Sequence, residues 1–188
     1  MATMKTILLI FVMAISTAAV ISVHDNFFEK TKTSEKYTHI HLYVHIAFSG
    51  SNPSAVTVVH GPTNKTLEFG DITVVDNPIT EGPELSSKLI GRDQGTYTGV
   101  SRDPESSKAV NLISVLLVFT DGAHKNNTIA LTGRDPIFSV ERELIVVGGT
   151  GAFRLARGYS IWKIYSLRHR LGELILTGEA VVTARTKS

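Results

Sequence analysis

Asp135 and Arg142 are the pair most suited to chemistry in this chain. They stand seven positions apart, with Pro136 between them, in the stretch GRDPIFSVERELIVVGGTGAFRLARGY from Gly133 to Tyr159. Across a short bend, a carboxylate and a guanidinium at that spacing can face one cavity, where the cation keeps the acid ionised or orients it. The same spacing fits a structural salt bridge at a sheet rim, and residue pattern alone favours that reading.

Other groupings carry less. His39, His41 and His45 alternate along one strand face, and alternating histidines can hold a metal. No carboxylate or cysteine near them in sequence completes a site, so a surface or interface role is expected and no metal is implied. Gly148, Gly149, Thr150 and Gly151 lack both the Walker lysine and the dinucleotide spacing, and read as a tight turn between strands. Ser49 and Ser101 lie outside any nucleophile-elbow pattern. The chain has no cysteine, which excludes disulfides, thiolate metal sites and a cysteine nucleophile.

The elements that must position these residues read as strands. Tyr37–Ala47 alternates strictly, with Ile40, Leu42, Val44 and Ile46 on one face and the histidines and Tyr43 on the other. Further β-like runs cover Ala55–His60, Leu67–Asp76, Gln94–Ser101, Ala109–Thr120, Thr128–Gly133, Val140–Val147, Phe153–Leu167 and Glu173–Ala184. Asn77-Pro78 is expected to stop the third run, and Thr80–Leu89 to be loop leading into a short strand. Eight to ten short runs with no amphipathic helix predict an antiparallel all-β domain, either a sandwich or an up-and-down barrel. Asn111–Phe119 is apolar on both faces, which predicts an oligomer.

At the N-terminus, Lys5, the apolar Ile7–Ile15 run and small residues Ser16–Ala19 predict a secretory signal over residues 1–22, cleaved after Ala19 or Ser22. Residues 23–36 are expected to be a flexible lead-in, and 37–188 one domain. No run is long enough to cross a membrane as a helix, so a secreted, extracellular protein is expected. Asn64 and Asn126 begin acceptor sequons for N-glycans. The net charge is +2, with bases and acids interspersed, which gives nucleic-acid binding no support.

The Gly133–Tyr159 stretch also resembles the signature segment of the plant dirigent proteins. Thr38–Gly50 is similar to the family's first strand, Phe69-Gly70 and Asp76-Asn77-Pro78-Ile79-Thr80 to its next motif, and GRDQGTY at Gly91–Tyr97 to its GRAQGxY-type motif. The resemblance covers residues 37–184. It implies an eight-stranded antiparallel up-and-down β-barrel that assembles as a homo-oligomer (trimer or dimer) in the plant apoplast. It further implies a protein with no cofactor and no redox centre of its own. A separate laccase or peroxidase makes phenoxy radicals from coniferyl alcohol or a related phenol, and the barrel directs their coupling to an optically active lignan. Related members act on quinone methides and close a ring, as in pterocarpan formation.

Carried over by position, the resemblance makes Asp135 and Arg142 the acid and cation of the pocket and Tyr97 its tyrosine, with Val44 and Ile46 lining it. It also implies roles in phenylpropanoid metabolism and plant defence. In family members the residue after the first-strand histidine is an inward aspartate; here it is Ile46, so one acid of the usual site is missing. The cysteines of the lignan-forming subgroup are absent, and the chain ends in ARTKS rather than an aromatic tail. Two other readings stand beside the stereo-directing one. One is a non-catalytic extracellular protein binding a phenolic or carbohydrate for defence or wall assembly. The other is a lipocalin-like carrier.

Overall fold

The computed structural model of the chain describes residues 35–63, 68–103, 108–170 and 173–187. The expected signal segment, the lead-in up to residue 34, and Asn64 lie outside the described residues. Nine strands form among these residues: β1 Glu35–Ala47, β2 Ala55–Val59, β3 Ile72–Thr80, β4 Leu89–Gly99, β5 Val110–Phe119, β6 Thr128–Pro136, β7 Glu141–Gly149, β8 Arg157–Arg170 and β9 Glu173–Lys187. They hydrogen-bond in the order β1-β9-β8-β7-β6-β5-β4-β3-β2. One further pairing, Tyr43 with Thr80 and Val44 with Ile79, joins β1 to β3. Eight strands therefore close into an antiparallel up-and-down barrel, with β2 added on the outer flank of β3. Of the two expected architectures, this is the barrel.

Period-two alternation decides which side chains go inward. Leu42, Val44 and Ile46 of β1 are buried with Ile113, Val115 and Leu117 of β5 and with Leu144 and Val146 of β7. On β9 the inward positions are small, Gly178 and Ala180, and Ala180 is the cross-strand neighbour of Trp162. A Cβ at position 178 would lie in ordinary contact with the indole, 3.8 Å from its Cε3. The outward face of the same strands is also apolar in part, since Leu112, Leu116, Ile145, Val147, Tyr159 and Val181 are all exposed.

Several boundaries differ from those expected: β4 runs Leu89–Gly99 rather than Gln94–Ser101, β6 extends to Pro136 and β9 to Lys187, and three further differences bear on the site. β1 starts at Glu35, so the last two residues of the expected lead-in pair with Lys187 and Thr186 of β9. Asn77-Pro78 does not stop β3 but lies inside it, opposite Asp93 and Arg92 of β4. The physical reason is which way the proline nitrogen points. Asp76 N–H donates to Ser54 O on the β2 side. Pro78, two residues on, points the same way, into the gap between the end of the β2 pairing and the start of the β1 pairing, where no donor is needed. Finally, β8 starts at Arg157 rather than at Phe153. Gly151–Phe153 forms one 3₁₀ turn, in which Gly151 has φ +57° and Phe153 is buried in the core. The glycine cluster is thus the tight turn its composition predicts.

Candidate active site in the barrel interior

The β6–β7 ladder pairs Leu131 with Val146 and Thr132 with Ile145. The same register, continued toward the strand ends, brings Asp135 level with Arg142. Next in the row are Asn111, paired with Asp135, and Trp162, paired with Arg142. Asp135 Oδ1 and Arg142 Nε lie 2.5 Å apart, with the two side chains only 11% and 10% exposed. The Arg142 Nε–H is not directed at Oδ1, so this is a close approach of the two groups rather than an aligned hydrogen bond. Arg142 Nη2 donates to the Ile137 carbonyl at 2.8 Å, which anchors the guanidinium to the turn after Pro136. Burial raises the Asp135 carboxyl above the ordinary carboxylate range, while the Arg142 charge and a hydrogen bond from Asn111 pull it back.

A second polar group sits deeper. Asp93, Gly95 and Tyr97 share the inward face of β4. The Tyr97 hydroxyl donates to Asp93 Oδ2 at 3.1 Å. Asn77 Nδ2 donates to the same oxygen at 2.9 Å and lies 3.5 Å from the Tyr97 hydroxyl. The Asn77 amide is itself oriented: Ala47 N–H donates to Ser54 Oγ, which donates to Asn77 Oδ1. Asp93 and Asn77 are fully buried. With no cation beside it, Asp93 is pushed up to about 6 by burial, against the pull of Asn77 and Tyr97. Tyr97 is raised well above its ordinary value, by burial first and then by the nearby carboxylates of Asp93 and Asp135. That ring therefore feels both acids.

Among the described residues, three inward-facing side chains carry a buried polar atom with neither a hydrogen-bond nor an ion-pair partner: Asp93 Oδ1, Ser160 Oγ and Trp162 Nε1. Buried polar atoms are rarely left unpaired, so their concentration in one interior marks a place built for a polar ligand. Val44 and Ile46, expected to line the pocket, are in the apolar core of the same interior. His39 and His41 lie on the outer face with partners on β9, Thr183 and Glu179. His45 departs from its expected surface role, being only 3% exposed. Its ring nitrogens lie 3.1 Å from Thr177 Oγ1 and 2.7 Å from Thr80 Oγ1. It forms the inner wall of a cleft of about 280 Å³ that Leu85 and the Ser49–Ser54 loop also line. Burial and the charge of Arg168 lower its pKa.

A family model described as "Dirigent-like protein" matches residues 37–183. The chain belongs to the dirigent family. Dirigent protein 1 of Arabidopsis thaliana is 46% identical over 136 residues, covering 71% of this chain and 72% of that protein. Pterocarpan synthase 1 of Glycyrrhiza echinata is 40% identical over 146 residues, covering 76% and 75%. Among solved structures, a pterocarpan synthase dirigent protein superposes with a TM-score of 0.70 at 36% identity, over 82% of this chain and 93% of that one. The expected dirigent barrel is thus confirmed, and the Asp135–Arg142 pair and Tyr97 lie inside it. The residues missed from sequence were Asp93, Asn77, Ser160 and Trp162. A signal for Asp93 was present, because it stands where the GRAQGxY-type dirigent motif has alanine and shares its strand face with Tyr97.

Proposed function

We propose that this dirigent protein binds a phenolic quinone methide in its barrel and directs ring closure to one face. Family membership gives it a dirigent-type, stereo-directing role on phenolic substrates. The observation that carries the finer reading is the buried Asp135–Arg142 pair. A carboxyl raised by burial can give a proton to the methide oxygen, while the guanidinium stabilises charge that develops there. Radical coupling needs two phenoxy radicals held in one orientation, but no proton donor. The acid therefore favours the methide step, and likeness to pterocarpan synthases points the same way. Coupling of coniferyl alcohol radicals supplied by a laccase or peroxidase is the second activity to test. The binding-module alternative drew on the loss of the first-strand acid at Ile46; the buried carboxyl of Asp93, a second interior acid, weighs against it.

The test is product analysis on a chiral column. The protein is incubated with a racemic hydroxyisoflavanol, and separately with coniferyl alcohol plus laccase. Enrichment of one enantiomer from the isoflavanol supports the proposal, and racemic product from both substrates overturns it.

Assembly and secretion belong to the same proposal. The exposed apolar residues Leu116 and Ile145 lie on a face that continues through Tyr159 and Val181, and a second copy of the chain would cover it. Ile145→Glu is expected to turn a trimer or dimer into a monomer by light scattering; an unchanged mass would exclude this face. Asn126 is exposed, with φ +66°, in the turn that enters β6. Expressed through a plant secretory route, the protein should reach the medium and lose glycan mass on glycosidase treatment. Asn126→Gln should reduce that loss.

A further inference from the structure

We infer that Tyr97 and Asp93 form a second proton-transfer site, which takes the proton of the hydroxyl that attacks the methide while Asp135 serves the methide oxygen. The inference rests on the quinone-methide reading above. It starts from three features of β3 and β4. Tyr97 is directed at Asp93, since its hydroxyl donates to Oδ2 and leaves its own oxygen able to accept. Asp93 is fully buried and Tyr97 slightly exposed, so a ligand in the interior reaches the acid through the phenol. The Tyr97 proton arrives at Oδ2, the oxygen its hydroxyl already donates to and to which Asn77 also donates, while Oδ1 has no partner and is not held by another donor.

The hydroxyisoflavanol first becomes the methide by losing its benzylic hydroxyl and its phenolic proton together as water, and from the methide onward the proton balance closes without a co-reactant. The attacking O–H bond breaks as the new C–O bond forms at the methide carbon. The methide electron pair moves onto its oxygen, which takes the proton of Asp135. The hydroxyl's proton passes to Tyr97 as the tyrosine's own proton passes to Asp93. One proton has then moved from Asp135 to Asp93, and exchange with water resets both. Tyr97 is a catalytic residue in this scheme; Asp93 acts through it as a positioning residue and proton acceptor. The neighbours of Asp93 in register, Asn77 and Leu117, do not titrate. Besides Tyr97, the other acid acting on it is Asp76, whose charge adds to the upward push.

The test compares Asp93→Asn, which keeps the shape and an acceptor for Tyr97, with Tyr97→Phe and the double variant. With the hydroxyisoflavanol, wild type should lose kcat as pH falls through about 6, as Asp93 becomes protonated. Asp93→Asn should lower kcat tenfold or more, flatten that limb and leave KM within about threefold. Tyr97→Phe should match it, and the double variant should be no worse than either. Wild-type kcat and pH limb in Asp93→Asn, or fully additive losses, would overturn the inference. If wild type turns over no phenolic, the functional reading fails, and binding of p-cresol decides the relay separately. That binding is followed by fluorescence of Trp162, the chain's single tryptophan. Affinity that rises from about pH 5 to about pH 7.5 in wild type but stays flat in Asp93→Asn supports the relay; the same rise in both overturns it.

Discussion

Asp135→Asn should cost the stereoselective reaction a factor of about 100 to 10,000, the range that a positioned proton donor supplies. The amide fits the same space but has no proton to give to a methide oxygen. Arg142 stays behind, buried and without its counter-charge, and breaking a buried pair from one side destabilises a fold by about 3–5 kcal/mol. A fall in rate alone could therefore reflect fewer folded molecules. Enantiomeric excess separates the two effects, because it is a ratio set by the molecules that react. The expected result is racemic product from a population that is still a folded barrel by circular dichroism. Pairing the change with Arg142→Met removes the orphaned charge, and should recover stability without recovering selectivity. Selectivity that survives in the folded single variant would mean that the ion pair is architectural.

The second large effect is on stability and depends on pH. The Asp93 carboxyl rises from 3.8 to about 6 on folding, because no cation offsets its burial. The folded protein thus holds this proton more tightly than the unfolded chain. The group's stabilising contribution is complete below about pH 4 and is lost as pH rises through about 6. Above that, the buried charge is a standing cost of up to about 3 kcal/mol. Asp93→Asn cannot ionise, so the variant should melt near wild type at about pH 4 and well above it at about pH 7.5. For a domain of this size the gap should be on the order of 6–10 °C. A gap of the same size at both pH values, or one of opposite sign, would show that Asp93 does not carry this cost. Such a cost has a natural explanation if the acid is kept for chemistry.

The all-β class was legible because alternation along β1 separates inward from outward residues within a single strand, whereas the choice of barrel over sandwich came from the dirigent resemblance. The Asp135–Arg142 pair was legible as a pair but not as a site. Its meaning depends on the β6–β7 register, which places both at one level inside the cylinder. Asp93 carried no local sign of burial, because Arg92, Asp93 and Gln94 run together in sequence. Only the face shared with Tyr97 separates it from its neighbours, whose side chains bind Asp76 outside. Trp162 could not be found locally, since its place beside Arg142 is set by pairing between strands. Pro78 misled for a related reason: a proline stops a strand only where its nitrogen faces a partner. His45 was assigned correctly to the outer face, but what covers that face comes from distant segments, Thr80 and Thr177.

The longest unbroken seam of the cylinder joins its first strand to its last. β1 pairs with β9 through thirteen consecutive residues, from Glu35 with Lys187 to Ala47 with Ile175, whereas only two pairs join β1 to β3. A ribosome delivers these partners at opposite ends of its work. Until the last strand is made, β1 lacks its main neighbour and the sheet stays an open ribbon, with apolar residues on both sides and an uncapped edge. Contacts at such separation make folding slow, and they place the whole closing step after β9 has been made. The stereochemical chamber therefore cannot exist in any partly made form of this chain.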